Sequence, residues 1–471
     1  MLISDLREYI KYLGSKRKLA RISGSVSTDL EVTAITDLEN KAGRYDGRAL
    51  LFEDVEGYDI PVATNLFGST IVLQELFGSR KITELFGLAT GNSRQILPAL
   101  KGAKSLIDSK PKSVGFEKSR YEKLKSIEEL PVLKVWPNDA GRFITQPMVV
   151  TRSPIDGRIN VGVYRMQVYD GETTGMHWQA QKGGAYHALE AEERNEELKV
   201  SVAIGSDPYT TIGAVAPIPK GISEYAFAGI ARGSRSLLFE NGAYPPVPAN
   251  SEFIINGRVD PIEKRLEGPF GDHTGYYSIA EETYVFHVEE IYAKKKPIYP
   301  ASVVGFPWHE DAVIGKFLMD YFNPIIRMMN DSILDIYLPP EGSFTNTCFI
   351  KVRKRFPGEA KKAMFAALGL GQLSFTKIIA AFDEDIDIRD FGSVIWALST
   401  RVDPDRDMQI IKGAAGDSLD HSTGMPAYGS KVLIDATRKM PGEGYHRKWP
   451  ETISMDSEVV KRVEKLWKAA R

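Results

Sequence analysis

The chain has 471 residues, with 60 Lys and Arg against 62 Asp and Glu, a formal net charge of -2 and 43% hydrophobic residues. That balance leaves no basic field to capture nucleic acid or an anionic membrane, and the length fits roughly three domains. The single cysteine, Cys348, excludes an intramolecular disulfide and a Cys-rich metal site, and it fits a reducing compartment. No apolar run reaches the ~18 residues of a membrane span. The charged stretch Met1 to Lys18 lacks a signal-peptide core. The expectation is a cytoplasmic protein with no membrane span and no nucleic-acid partner.

Ser4 to Gly14 reads as a helix, with Ser4 as its cap and Leu6, Ile10 and Leu13 on one face. Short strands with Gly turns follow around Leu50 to Ala63, and helical spacing returns at Ser69 to Phe77 and Lys81 to Leu88. Residues 1–110 are therefore expected to form an N-terminal α/β domain, and the charged run Ser105 to Leu130 a connector. From Val132 the chain breaks into short β-rich runs: 132–135, 147–151, 159–168, 199–204, 252–259 and 284–292. Such spacing predicts a β-barrel or sandwich over 111–305. Beyond it, Ile314 to Leu338 is apolar with Pro324 as a kink or boundary, and a second α/β alternation runs through Phe349 to Val352, Glu359 to Leu370, Lys377 to Phe382 and Val394 to Leu398. This predicts a C-terminal α/β oligomerisation domain over 306–455. Residues 456–471 close the chain with an amphipathic helix, Ser457 to Ala470, whose stripe of Val459, Val460, Val463, Leu466 and Trp467 predicts docking on a neighbouring domain or subunit.

No P-loop, Rossmann glycine fingerprint, H-E-x-x-H or G-x-S-x-G occurs, which argues against nucleotide triphosphates, Rossmann-bound dinucleotides and α/β-hydrolase chemistry. Three polar clusters remain. Asn160 to Tyr169 reads as a strand and Asp170-Gly171 as a turn. After them, Met176 to His187 places an imidazole, an indole, two amides and an ammonium ahead of Gly183-Gly184, more polarity than a hairpin requires. Glu224 stands alone in the small and apolar run Ser223 to Gly229; it is either a carboxylate at a helix start or a ligand. In Glu267-Gly268-Pro269-Phe270-Gly271-Asp272-His273-Thr274-Gly275-Tyr276-Tyr277, the Gly and Pro residues free two carboxylates from strand alternation and let them converge. Two nearby carboxylates are expected to raise one pKa, which keeps an acid protonated near neutral pH.

These clusters, in this order, resemble the UbiD family of decarboxylases that use prenylated flavin mononucleotide. Leu338 to Gly342, Thr400 to Asp407, Gly429-Ser430-Lys431 and Asp435-Ala436-Thr437 agree, so the resemblance covers nearly the whole chain. It implies an N-terminal α/β domain, a central split β-barrel of flavin-reductase type, a C-terminal α/β domain, and a homodimer or hexamer. It implies Asn160 and Glu224 as ligands of Mn²⁺ or Mg²⁺ (with K⁺ as a further candidate) that hold the flavin phosphate. Flavin contacts would come from Val163, Tyr164, Arg165, His177, Trp178, Gln179, Gln181, Lys182, Gly183 and, less directly, Lys431. Gln181 stands where the family often has a His ligand, so His177 or His187 is an alternative. The implied catalytic trio is Arg165 gripping the substrate carboxylate, Glu267 orienting it, and Asp272 protonating the product. The implied reaction is reversible, non-oxidative decarboxylation of an α,β-unsaturated or aromatic acid, with a flavin prenyltransferase as cofactor supplier. Candidate substrates are anhydromevalonate phosphate, a 4-hydroxy-3-polyprenylbenzoate and a phenolic acid. A flavin oxidoreductase on the same barrel and a non-catalytic scaffold are the competing classes. One geometric difficulty stands: Asn160 and Arg165 are an odd number of residues apart, so a regular strand would point them to opposite faces.

Overall fold

The computed structural model describes residues 3–78, 109–179, 182–218, 221–306 and 308–470. The expected helix at 81–88, part of the 105–130 connector and Gln181 lie outside the described residues. The first helix is Leu6–Ser15, and its cap is Asp5, whose carboxylate accepts from the Glu8 amide at 2.8 Å. Ser4, expected as the cap, instead donates from its amide and hydroxyl to the Glu8 carboxylate.

The architecture is mixed α/β. Three main sheets carry it. The first is four-stranded, in the order Leu19–Ile22, Ala49–Phe52, Val62–Thr64 and Tyr299–Ala301. Its last strand comes from far along the chain. The long helix Glu310–Met329 follows the same route back: its Val313, Phe317, Tyr321 and Phe322 share one core with Tyr9, Phe67 and Phe77. Pro324 sits within that helix and does not end it.

The second sheet orders Thr173–Met176, Glu281–Lys294, Phe253–Glu267, Leu198–Ile204, Met148–Arg152 and Ile159–Val163, with Tyr121–Leu124 on the far end of Glu281–Lys294. Its neighbours pair antiparallel. Expected strands 252–259 and 284–292 are parts of one long hairpin of 15 and 14 residues. Among the described residues its pairing does not close into a ring. Apolar side chains of this sheet, including Val149, Val202, Ile255 and Phe286, are fully buried in the largest core.

The third sheet orders Ile333–Tyr337, Thr347–Val352, Ile378–Phe382, Tyr428–Ala436 and Met408–Ala415. Residues 394–398 belong to a helix, Phe391–Arg401, capped by Asp390. The terminal helix Ser457–Ala469 forms where its periodicity predicts, but no residue of it is buried in the chain, and Leu466 is 73% exposed. Among the described residues no helix is long and apolar enough to cross a membrane.

Beyond a short bridge from Val168 to Thr174 around the Asp170-Gly171 turn, the 160–187 stretch is not one hairpin. Ile159–Val163 pairs with Met148–Arg152 at one edge of the second sheet, and Thr173–Met176 pairs with Glu281–Lys294 at the other. The strand stops at Val163, and Met166–Gln167 joins a separate ribbon with Phe143–Ile144. Tyr164 and Arg165 occupy the break. Strand parity therefore does not link Asn160 to Arg165, and the difficulty raised by their spacing disappears.

Candidate active site

Arg165 is the hub. Its guanidinium is 8% exposed, and the two long strands bring its first partner from Glu267, the last residue of Phe253–Glu267. Arg165 Nε donates to Glu267 Oε1 at 2.9 Å and Nη2 to Oε2 at 3.0 Å, so one edge of the guanidinium is filled bidentately. Nη1 donates to Asp272 Oδ2 at 2.7 Å, and Nη2 also reaches Ser278 Oγ at 3.2 Å. His177 Nδ1 lies 2.9 Å from Glu267 Oε2. The Phe270 ring lies under the guanidinium, 5.0 Å from its carbon.

The loop after Glu267 is held by groups from elsewhere. The Gly268 amide donates to Gln167 Oε1 at 2.8 Å, the Gly271 amide to Asp139 Oδ1 at 2.8 Å, and the Phe270 amide to Ser278 Oγ at 3.2 Å. The Gly268–Pro269 bond is cis. At Gly271 a Cβ would stand 2.2 Å from the Trp136 ring, so only glycine lets the loop pass. This path carries Asp272 back onto Arg165.

The electrostatics overturn the expectation that the carboxylate pair raises one pKa. Burial works to raise both groups, but it loses. At Glu267, the His177 hydrogen bond and the Arg165 charge hold the carboxyl at about 2. At Asp272, the His273 hydrogen bond and charge, followed by Arg165, hold it well below the usual carboxylate range. A cation between two carboxylates stabilises both charged forms. Without substrate, Asp272 is ionised.

A second group gathers around Asn160. Its Nδ2 donates to the Tyr164 hydroxyl at 3.4 Å, which also accepts from the Gly184 amide at 3.3 Å. Tyr164 is buried, and Glu224 contributes to its electrostatic setting. Glu224 opens the helix Glu224–Arg232. Burial pushes its carboxyl up to about 7, opposed by the backbone N–H groups of Glu224 and Val161. The Gly-Gly pair has a steric reason. A Cβ at 183 would stand 2.0 Å from Asn160 Oδ1, and one at 184 would stand 2.6 Å from Trp178 Nε1. Among the described residues that indole N–H is buried without a hydrogen-bond partner, and its ring packs on Tyr284. Lys182 caps the helix Gly183–Arg194, and burial lowers its ammonium pKa. The Gln179 carbonyl accepts from the Lys182 amide at 2.9 Å, and Val163 packs against the apolar cluster around Val161 and Tyr225.

The remaining residues lie elsewhere or are engaged. Lys431 donates to the Ser374 and Thr376 carbonyls, both at 2.8 Å, inside the C-terminal unit. His177 is taken by Glu267, and His187 Nδ1 by Thr151 at 2.8 Å. Neither is drawn to Asn160. Among the described residues no group of three or more His, Cys, Asp or Glu is arranged to hold a metal.

Three family models match almost end to end. They describe the N-terminal domain (residues 10–90), the Rift-related domain (108–307) and the C-terminal domain (312–436) of 3-octaprenyl-4-hydroxybenzoate carboxy-lyase. The chain belongs to the UbiD family. An uncharacterized protein of Archaeoglobus fulgidus is 45% identical to this UbiD chain, covering 100% of it and 99% of the relative. One from Aquifex aeolicus is 40% identical over 98% of each. Among solved structures, the closed form of Sedimentibacter hydroxybenzoicus vanillic acid decarboxylase matches with a TM-score of 0.86 at 26% identity, covering 98% of this chain and 99% of that one. The open form of that enzyme, also at 26%, gives 0.77 and covers 100% of each chain. The UbiD-class enzyme HmfF from Pelotomaculum thermopropionicum, in complex with FMN, gives 0.79 at 26% identity over 98% and 99%. By family this UbiD chain is a carboxy-lyase.

Sequence reasoning did not single out Ser278, Asp139, Gln167, His273, Asp311 or Asp417. Ser278, Asp139 and Gln167 hold the Asp272 loop. His273 stood in the quoted motif; only its hydrogen bond to Asp272 gives it weight. Gln167 reaches Gly268 and Asp417 reaches Thr345 across long stretches of sequence, which no local pattern marks.

Proposed function

We propose that this protein decarboxylates an α,β-unsaturated or aromatic carboxylic acid with prenylated FMN and a divalent metal. The observation that carries the reading is Arg165, buried and held by Glu267 on one edge with Asp272 on the next. HmfF relatives in complex with FMN and with prFMN support the flavin. The donor set suits the metal. Asn160 offers an amide oxygen and Glu224 a carboxylate that burial disfavours as an anion; a Mn²⁺ or Mg²⁺ ion bridging to a phosphate would favour it again. When bound, the prenylated flavin supplies the electron sink that decarboxylation needs and no side chain provides.

The rest is work for the chain. Glu267 occupies the Nε edge of Arg165, so an incoming carboxylate has the Nη1–Nη2 edge, where Asp272 and Ser278 now sit. Binding therefore displaces Asp272 from Nη1. Asp272 loses a stabilising cation and gains an anionic neighbour. Both changes raise its pKa. It takes up a proton at that point and holds it at Oδ2 for delivery to the carbon that loses CO₂. Phe270, packed on the guanidinium, and the burial of the Arg165 side chain exclude water from the carboxylate. Substrate candidates are an isoprenoid-derived unsaturated acid, a polyprenylated hydroxybenzoate and a phenolic acid.

The test is to co-express the chain with a flavin prenyltransferase, confirm the bound flavin by mass spectrometry, and offer a panel of such acids while measuring CO₂. Release from at least one acid, dependent on Arg165, is expected. A different tightly bound cofactor, or an ordinary flavin that is reduced by a nicotinamide with no acid decarboxylated, refutes the reading.

A further inference from the structure

Beyond Asp272 the charged chain continues. Asp272 Oδ1 accepts twice from His273, from the amide at 2.8 Å and from Nδ1 at 3.0 Å. The other side of that imidazole faces the C-terminal unit, where Asp417 Oδ2 lies 3.8 Å from Nε2. This is an ion pair rather than a hydrogen bond. Asp417 is fixed in turn: Thr345 Oγ1 donates to its Oδ2 at 3.3 Å and the Leu419 amide to its Oδ1 at 3.0 Å. Phe344 covers the imidazole, with ring centroids 5.1 Å apart. Asp272, His273 and Asp417 side chains are 12–13% exposed. Arg165, Asp272, His273 and Asp417 thus alternate in sign, from the central sheet into the segment after Met408–Ala415.

We propose that Asp417 is a positioning residue for the reaction: by pairing with His273 it keeps the imidazole protonated and its Nδ1–H on Asp272, so that a residue of the C-terminal unit poises the acid. This rests on the decarboxylase reading above. Four further groups face the chain. Asp311, at the start of the helix Glu310–Met329, contributes to the field at His273, and its carboxylate oxygens are buried. Lys182 faces Asp417, while Glu267 and His177 lie across Arg165. Burial alone would neutralise His273; its hydrogen bond to Asp272 and the charges of Asp272 and Asp417 raise it to about 10. Asp417 is the partner supplied by another part of the chain. Without the Asp417 charge, Asp272 loses part of what holds it ionised and oriented.

The test uses the flavin-loaded full chain and Asp417→Asn, which keeps shape and the Thr345 and Leu419 contacts but removes the charge. Two readouts are taken. Isotope-labelled histidine followed by NMR, with His273→Gln to assign the signal, reports the imidazole without turnover. The pH profile of kcat/KM reports the reaction. In Asp417→Asn the His273 titration and the alkaline limb of the profile should both move down by at least about one pH unit, with activity restored at low pH. A merely structural role would lower activity by one factor at every pH and leave both limbs in place; that result overturns the proposal. So does an imidazole that moves while the profile does not. If the parent binds flavin but turns over no acid, the decarboxylase reading fails and the positioning role fails with it. The NMR titration then decides the His273–Asp417 coupling alone.

Discussion

Asp272→Asn tests the chemistry most directly. Asn keeps the shape, and its carbonyl can still accept from the His273 amide, but its NH₂ then faces Arg165 Nη1, donor against donor. One charge-assisted hydrogen bond is lost between side chains only 8% and 13% exposed, which costs about 1.5–3 kcal/mol of stability. Glu267 still holds Arg165 by two bonds, so the fold and flavin binding should survive. Turnover should fall much further. Losing a positioned general acid is worth roughly two to four orders of magnitude. Substrate affinity should move the other way, because the carboxylate no longer competes with an anion for Nη1; KM should hold or drop while kcat falls. The assay is steady-state CO₂ release with the best acid of the panel. In D₂O the parent should label the product at the former carboxyl carbon. Turnover within about threefold of the parent, far inside the expected loss, would refute the assignment. Glu267 would then be the leading donor and Asp272 a turn residue.

Glu267→Gln should instead weaken an earlier step, raising KM and lowering kcat/KM as Arg165 loses its orienting partner. The same variant should change acid stability. The folded carboxyl lies at about 2, below its ordinary 4.5, so its contribution is complete above pH 4.5 and lost as pH falls towards 2; the apoprotein melting temperature should decline less steeply over that interval in the variant, and identical slopes would count against the pairing. Gly183→Ala should push the Asn160 carboxamide aside and cut retention of flavin and metal, as should Glu224→Gln, more than either lowers the apoprotein melting temperature; unchanged metal content after gel filtration would remove both from the site. The apolar face of Ser457–Ala469 and the exposed Ile395, Trp396 and Ile410 predict a homo-oligomer in solution, and light scattering that gives a monomer at micromolar concentration would overturn this.

What could be read in advance followed local rules. The convergence of Glu267 and Asp272 was legible because Gly268, Pro269 and Gly271 remove strand alternation, and the terminal helix because its stripe has a clean period. The protonation of the pair was not, since it depends on a cation 102 residues from Glu267 in sequence falling between the carboxylates. The strand break at Tyr164 and Arg165 was also hidden. Val, Tyr, Met and Gln all suit a strand, and the break is set by Met166–Gln167 finding Phe143–Ile144. Residues 394–398 continue the strand–helix alternation as expected, within the helix Phe391–Arg401, whose Asp390 cap lies outside that five-residue window.

The late return of Tyr299–Ala301 to the first sheet bears on synthesis. Val62–Thr64 lies between Ala49–Phe52 and this strand, and all three of its residues are buried. Its neighbouring aromatic core also needs Phe317, Tyr321 and Phe322. This segment therefore cannot complete its sheet or core until some 250 further residues have emerged from the ribosome, counting from Thr64 to Phe317. The central hairpin, with its partners close in sequence, can form first. Nascent chains arrested before residue 299 should leave residues 3–78 open to protease, and chains arrested after the helix Glu310–Met329 has cleared the exit tunnel should protect them.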